Sequence, residues 1–369
     1  MRKEYKLILL LCKMSLSEEE QKILQQYLQE HLDWDKVIGL LEIHRIAGLA
    51  WKNINKYFFC NNENRCTLPR LYHYLYNSYS LQKLRGEEQL KITKSICNLL
   101  DYHKINYALI KGISLVLGVY KDCGLRGFND NDLLVHPNDL EKVKNILIAE
   151  GYVQGETKHL TKIIKSSRRD LLKRSMNSHE VMPFILKTNS DLVPQHIIDV
   201  HFSINLMSNK RNLESLEEFL FSNIELVENK FSIKTLNNNK HLMFLCEHFY
   251  KEAISFNDLK MYKDNSIYKL CDIYYFIKSN FINWEEFNEQ CLRFGFSKQV
   301  YLSMTYLKEI FNEDEMLDNI LPLEPQDKTF LNKVFYYNSD QVAFQYENEN
   351  FVERVFDIDK PKKILHQNK

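Results

Sequence analysis

Glycine and proline, the residues that most often interrupt helices and strands, are scarce in this chain. Ten glycines and seven prolines occur among 369 residues. Long stretches instead carry apolar residues at spacings of three and four, the period of one helix face. This pattern fills the first 90 residues apart from a polar stretch at 61–65, and it returns from about residue 236. We therefore expect helical regions at 1–90 and 236–369.

Residues 91–235 have a different pattern, in which short apolar runs alternate with helical stretches. The runs that predict strands lie at residues 107–110, 130–135, 179–186 and 195–204. A helix is expected at 139–150, with Gly151 ending it. Interleaved strands and helices predict a small mixed sheet. The expected fold class is therefore α+β, mostly helical, with a sheet-bearing core at 91–235 flanked by helical regions.

Charge and cysteine content limit the class of protein. Lys+Arg and Asp+Glu are both 49, so no global field would draw the chain to nucleic acid or to an anionic membrane. A nucleic-acid polymerase would need a sizeable cationic track, which argues against nucleic acid as a partner. No apolar run approaches membrane-spanning length, and the eight cysteines include no CxxC pair. We expect a soluble, cytoplasmic protein with reduced thiols.

Positive charge is concentrated in one segment, residues 158–174, where a single acid, Asp170, occurs. The basic residues of this segment are Lys158, Lys162, Lys165, Arg168, Arg169, Lys173 and Arg174. The segment is the best local candidate for binding a polyanion. The alternative is a solvated helix face.

Two aspartates open the second predicted strand. Residues two apart on a strand project from the same face, so Asp130 and Asp132 can direct their carboxylates at one point while Asn131 points away. Such a pair can share a divalent cation, and Mg²⁺ prefers carboxylate oxygens together with substrate phosphates. Acidic pairs at this spacing are common, and the alternative is a turn cap. The apolar strand that follows favours metal binding, because a buried carboxylate needs a neutralising partner.

The fourth predicted strand repeats this arrangement with Asp199 and His201 on one face. Asp199 could be a third metal ligand or a structural salt-bridge acid. His201 could shuttle protons or contact the substrate, or it could orient a neighbouring carboxylate. A zinc site is not expected, because none of the spacings typical of zinc ligands joins His179, His196, His241 and His248.

With these residues identified, the chain resembles the nucleotidyltransferase superfamily of the DNA polymerase β type. It is most similar to the bacterial uncharacterised nucleotidyltransferase family. The matching elements are Leu-Ile-Lys-Gly at 109–112, Arg126, Asp-Asn-Asp-Leu-Leu-Val at 130–135 and Asp-Val-His-Phe at 199–202. Two departures are Asn131, where an apolar residue is usual, and Phe202, where tryptophan is common.

The resemblance implies a nucleotidyltransferase core at 91–235 that transfers an NMP group from an NTP, with ATP as the expected donor. It implies that Asp130, Asp132 and Asp199 hold Mg²⁺ or Mn²⁺ and carry catalysis. Lys111 and Arg126 are then expected as charge partners of the triphosphate.

The resemblance leaves the details of nucleotide binding and the acceptor open. The superfamily's glycine-serine element is replaced by residues 111–114. The turn at Gly112, with Ser114 after it, could offer backbone N–H groups to phosphates. The acceptor would be a hydroxyl, amine or phosphate of a peptide, protein or small molecule. The alternatives are a non-catalytic nucleotide-sensing or protein-binding relative, and a phosphotransferase that uses the same metal site.

Overall fold

The computed structural model describes residues 1–158, 162–207, 212–228, 231–336, 339–347, 350–360 and 362, without the side chains of residues 62, 228 and 231. The chain forms two compact units. One consists of Met1–Ser80 together with Leu245–Lys369, and the other of Leu81–Phe244. The three sequence regions, divided after residues 90 and 235, stay a prediction.

The fold is α+β and mostly helical, as the sequence predicts. Its described α-helices are α1 (Lys3–Leu11), α2 (Glu18–Gln29), α3 (Trp34–Ile43), α4 (Ala47–Tyr57), α5 (Asn62–Thr67), α6 (Pro69–Tyr102), α7 (Gly112–Leu115), α8 (Leu140–Ala149), α9 (Arg168–Asn177), α10 (Leu213–Phe221), α11 (Asn238–Ile254), α12 (Phe256–Lys260), α13 (Ile267–Ser279), α14 (Trp284–Phe294), α15 (Ser297–Phe311), α16 (Glu315–Asp318) and α17 (Phe351–Phe356). Within the described part of the chain, no helix is both long and apolar enough to cross a bilayer.

In its described residues, the unit that contains both ends of the chain is helical apart from one short hairpin. Its N-terminal and C-terminal segments pack together: the Tyr275 hydroxyl donates to the Cys12 carbonyl at 2.6 Å, and the rings of Tyr5 and Phe356 stack at 4.4 Å. The hairpin joins β9 (Lys333–Phe335) and β10 (Val342–Gln345), which are numbered after the strands of the other unit. These contacts unite residues that are far apart in sequence.

The unit formed by residues 81–244 contains a six-stranded mixed sheet. Its strands are β1 (Tyr107–Ile110), β2 (Asn131–Val135), β3 (Val153–Lys158), β4 (Lys162–Lys165), β5 (Phe184–Lys187) and β6 (Gln195–His201). Their order is β1-β2-β6-β5-β3-β4, with β2 and β6 parallel and the other neighbours antiparallel. A separate hairpin joins β7 (Ile224–Glu228) and β8 (Phe231–Thr235). The predicted small mixed sheet is confirmed.

The centre of this sheet is apolar, so a charged side chain there costs free energy unless it is paired. All residues of β1 and β2 are buried. Side chains of both strands, among them Leu109 and Leu133, pack in one core with Leu100 of α6 and Leu147 of α8. Burial of this kind supplies most of the folding free energy. A carboxylate in β2 must therefore find a partner or a cation.

Three predicted strand limits need correction. The strand expected at 130–135 begins at Asn131, so Asp130 lies in the bend before it. The strand expected at 179–186 begins at Phe184, and before it only Glu180 makes an isolated bridge, to His201. The strand expected at 195–204 ends at His201.

The basic segment 158–174 is not one helix. Lys158 ends β3, β4 follows, and only the last part belongs to α9, while residues 159–161 lie outside the described residues. The hairpin depends on Gly155, since a Cβ there would stand 2.1 Å from the carbonyl oxygen of Ile164 on β4. For Lys158, Lys162 and Lys165, which lie in strands, the alternative of a solvated helix face was therefore wrong.

Candidate active site

The parallel pairing of β2 with β6 brings two of the predicted acids side by side. Asp132 and Asp199 are register partners, and Leu134 is opposite His201. Neighbouring strands are about 4.8 Å apart, so adjacent side chains on one face can share a ligand. Asp130 lies one residue before β2 and is exposed. The carboxylates of Asp132 and Asp199 therefore lie side by side on one face of the sheet, and Asp130 lies just before the first residue of β2.

Asp132 is buried between two basic groups. Its Oδ1 lies 2.6 Å from the Lys111 Nζ and 2.8 Å from the His201 Nε2, which donates to it. Burial alone would raise the pKa of Asp132, but the Lys111 ammonium and the His201 hydrogen bond outweigh it and lower the pKa to about 2. Asp132 is thus held ionised and oriented.

Lys111 reaches Asp132 from a turn of unusual backbone geometry. Its φ of 59° and ψ of −139° are rarely adopted by residues other than glycine. Gly112 follows and begins α7, and a Cβ there would stand 2.8 Å from the Cβ of Phe128. Burial would lower the pKa of Lys111, but Asp132 and Asp130 raise it. The turn therefore holds a permanent positive charge against the acids.

Ser114 and Arg126, both predicted to bind nucleotide, are buried. The Ser114 hydroxyl donates to the Lys111 carbonyl at 2.6 Å and lies 3.4 Å from the His241 Nε2. The Arg126 guanidinium donates to the Gly127 carbonyl. These bonds show that Ser114 supports the Lys111 turn from inside the protein.

Asp199 has the opposite environment from Asp132. Burial, and then repulsion from Asp132, Glu180 and Asp130, raise the pKa of Asp199 well above its usual range. Its Oδ1 is buried and makes no hydrogen bond within the described part of the chain. An orphaned carboxylate oxygen beside other acids is the environment that a bound divalent cation would relieve. The donors are all carboxylate oxygens, so the residues fit Mg²⁺ or Mn²⁺.

Two further residues, His179 and Glu180, join the site and were not predicted from the sequence. The bridge between Glu180 and His201 sets the Glu180 Oε2 at 3.5 Å from the His201 Nε2 and 3.6 Å from the His179 Nε2. One ligand atom from each of His179, Glu180 and His201 lies within 4.8 Å of the other two. Arg174 of α9 forms an ion pair with Glu180. The spacing rule that argued against clustered histidines missed this group, because a bridge between distant segments assembles it.

Asn131, the residue that departs from the family pattern, faces the other side of β2. Its Oδ1 accepts from the Thr93 hydroxyl at 2.9 Å, and its Nδ2 donates to the Gln89 Oε1 at 3.2 Å. The Thr93 oxygen lies 3.0 Å from the His196 Nε2, whose Nδ1 is 2.8 Å from the Tyr152 hydroxyl. All five side chains are buried. Burial lowers the pKa of His196 to about 4, so the ring is neutral at pH 7.

We name this cluster the Asn131 network: Gln89, Thr93, Asn131, Tyr152 and His196. The Asn131 Nδ2 also lies 3.1 Å from the His196 Nε2, and the Thr93 hydroxyl also donates to the Gln89 carbonyl at 2.9 Å. The network anchors the residue between the two aspartates to α6.

Comparison with known proteins gives a family and distant structural likenesses. A family model described as "Uncharacterised nucleotidyltransferase" matches residues 30–312, a span that includes every site residue above. No curated protein matches. A crystal structure of an antigenic nucleotidyltransferase-like protein from Paracoccidioides brasiliensis is similar at 14% identity and a TM-score of 0.39, covering 64% of this chain and 93% of that one.

Proposed function

The chain belongs to the uncharacterised nucleotidyltransferase family, and from that membership we propose that it is a Mg²⁺-dependent enzyme that transfers an NMP group from an NTP. The observation that carries the proposal is the pairing of Asp132 with Asp199, whose buried Oδ1 makes no hydrogen bond within the described residues. ATP is the proposed donor. The proposed acceptor group is a hydroxyl, amine or phosphate of a peptide, protein or small molecule.

We assign the metal to the carboxylates of Asp130, Asp132 and Asp199. A divalent cation bound there would neutralise phosphate oxygens and make the α-phosphorus easier to attack. His201 donates to Asp132 and so fixes the direction of that carboxylate, which favours the orienting role over a proton shuttle. Asp199, whose pKa is raised, is suited to accept the proton of an attacking acceptor group.

The cations of the site are proposed to bind the triphosphate. Lys111 lies against Asp132 and presents an ammonium at the point where phosphates would meet the acids. Gly112 and Ser114 hold the turn that carries Lys111. Arg126 adds a buried positive charge close to the approach to β2.

The first experiment measures nucleotide binding, which needs no acceptor. The full-length protein is titrated with a fluorescent ATP analogue, with and without Mg²⁺. We expect Mg²⁺-dependent binding that Asp132→Asn weakens by at least about tenfold to a hundredfold, the range for losing even a group that only supports a metal ligand. The control is Asp191→Asn, which removes an exposed acid of the same unit. Absence of nucleotide binding, or equal binding by Asp132→Asn and wild type, would overturn the proposal.

The second measurement separates the possible transfer reactions. The protein is incubated with Mg²⁺, each NTP and candidate acceptors, and the released product and the acceptor mass are recorded. Pyrophosphate together with an acceptor heavier by one nucleoside monophosphate supports nucleotidyl transfer. Nucleoside diphosphate together with a phosphorylated acceptor would instead identify a phosphotransferase that uses the same acids.

A further inference from the structure

Helix α9 has no fully buried side chain, and most of its exposed residues are charged. None of its ten side chains, all of which the structure describes, is buried. Its first turn is capped by Ser167, whose hydroxyl accepts from the Asp170 N–H at 3.2 Å. Most helices of this length are stabilised by packing an apolar face against the protein. Since α9 has no such buried face, packing against the protein does not explain its apolar residues.

An open groove runs along one face of α9. It is lined by Arg168, Arg169, Leu172, Lys173, Met176 and Asn177. These residues form two adjacent rows at a spacing of four, so one row carries Leu172 and Met176 and the other carries Arg169 and Lys173. Leu172 is 54% exposed and Met176 is 71% exposed. Large apolar side chains among arginines and lysines are typical of a surface that meets a partner.

The lysines of the preceding hairpin have a separate explanation. β4 is an edge strand of the sheet, and exposed Lys162 and Lys165 discourage pairing with another chain. No edge strand accounts for the cations of α9.

An ion pair joins another face of α9 to the candidate active site. Arg174, near the end of α9, forms an ion pair with Glu180, and Glu180 is the bridge partner of His201. His201 in turn donates to Asp132. The last turn of α9 is therefore connected to Asp132 through Glu180 and His201.

We propose that this face of α9 is the docking surface for the acceptor, and that the acceptor is an acidic polypeptide segment with interspersed apolar side chains. The inference rests on the proposed function. The cations match acidic groups, and Leu172 and Met176 match apolar ones. Residues 162–178 contain no aromatic side chain, whereas non-specific single-stranded nucleic-acid sites stack bases on such rings. The ten residues of α9 are about 15 Å long, enough for a short peptide segment.

The test measures docking without nucleotide or metal, so its outcome is independent of catalysis. A fluorescein-labelled peptide of glutamate and leucine is titrated with the full-length protein and followed by anisotropy. We expect saturable binding that weakens at high salt. The double substitution R169Q/K173Q should weaken it about threefold and R169E/K173E about tenfold or more. L172S/M176S should weaken it without altering the salt dependence.

The matched control is K142E/K187E, which reverses two exposed charges elsewhere in the same unit. Circular dichroism of each variant checks that it is folded. No binding by the wild type, or equal binding by R169E/K173E and K142E/K187E, would overturn the proposal. Tighter binding of an RNA of equal charge, with no effect of L172S/M176S, would overturn the assignment to a polypeptide. If the peptide docks but no nucleotide binds, the proposed function fails while the docking surface remains.

Discussion

Two faces of the same pair of strands, β2 and β6, carry polar side chains in opposite states. On one face, Asp132 and Asp199 stand side by side, and Asp199 keeps a buried oxygen that makes no bond within the described residues. On the other face, Asn131 and His196 belong to the Asn131 network, in which each side chain is hydrogen-bonded. One face keeps charge that is incompletely compensated, and the other is neutral.

This difference distinguishes a candidate ligand-binding site from a structural hydrogen-bond network. A buried carboxylate without a partner costs free energy, so it persists where a ligand compensates it. A fully bonded polar network instead fixes one arrangement of the core. On this view, the Asn131 network fixes β2 on one face, which we call the back face. The opposite face, which carries Asp132 and Asp199 and which we call the front face, can bind a cation.

The sharpest test of this contrast compares two adjacent residues. Asn131→Leu removes an acceptor of the Thr93 hydroxyl and the Asn131 donor to the buried Gln89 Oε1, so we expect it to lower the free energy of unfolding by about 3 kcal/mol. Asp130→Asn changes an exposed side chain and should alter that free energy by no more than about 0.5 kcal/mol. Urea unfolding of both variants measures the effect.

For nucleotide binding, we expect Asp130→Asn to have a larger effect than Asn131→Leu. Asp130→Asn is expected to weaken Mg²⁺-dependent binding strongly, because it removes a proposed metal ligand. Thr93→Ser, which keeps the hydroxyl, is the mild control for the network. If Asn131→Leu were as stable as wild type, the Asn131 network would not anchor β2.

The pH dependence of stability tests the neutrality of the network. Burial lowers the pKa of His196 from its usual 6.5 to about 4, so the folded protein binds fewer protons there than the unfolded chain. The contribution of this neutral ring is present above pH 6.5 and is lost as the pH falls toward 4. Its size is about 2–3 kcal/mol by linkage.

We expect the difference in unfolding free energy between wild type and His196→Gln to shrink by that amount between pH 7 and pH 4.5. The exposed His103→Gln is the matched control, and its curve should follow the wild type. Curves for His196→Gln and wild type that stay parallel over this range would contradict a neutral, buried His196.

The sequence predicts the face with Asp132 and Asp199 better than the face with Asn131 and His196. Alternation along a strand is a local property, so β1 is predicted to the residue, and the shared face of Asp130 and Asp132 follows from the same rule. The bridge that sets Glu180 beside His201 is a tertiary contact with no local signal. The short, highly charged β4 also lacks the apolar alternation that predicts a strand, because it lies at the sheet edge.

The same limit applies to Asn131. Within β2 it reads as a polar interruption of an apolar strand, and only the structure shows Thr93 and Gln89 of α6 meeting it. Helix periodicity places those two residues on one face but does not say which strand they meet.

The smallest expected effect is on the free energy of unfolding of an Asp199 variant in the absence of metal. Because the pKa of Asp199 is raised, its ionised form destabilises the folded protein, and the loss grows as the pH rises above the unfolded value of 3.8. In the presence of a chelator at pH 7, Asp199→Asn should therefore raise the free energy of unfolding by about 1–2 kcal/mol.

Asp132→Asn is the matched comparison, and its effect should have the opposite sign, because Lys111 and His201 lose the carboxylate that pairs with them. Mg²⁺ should stabilise the wild type by mass action and leave Asp199→Asn unchanged, which removes the variant's advantage. If Asp199→Asn were instead less stable than wild type under chelation, Asp199 would be a structural acid. The sign of this one difference thus separates the two roles that the sequence left open for Asp199.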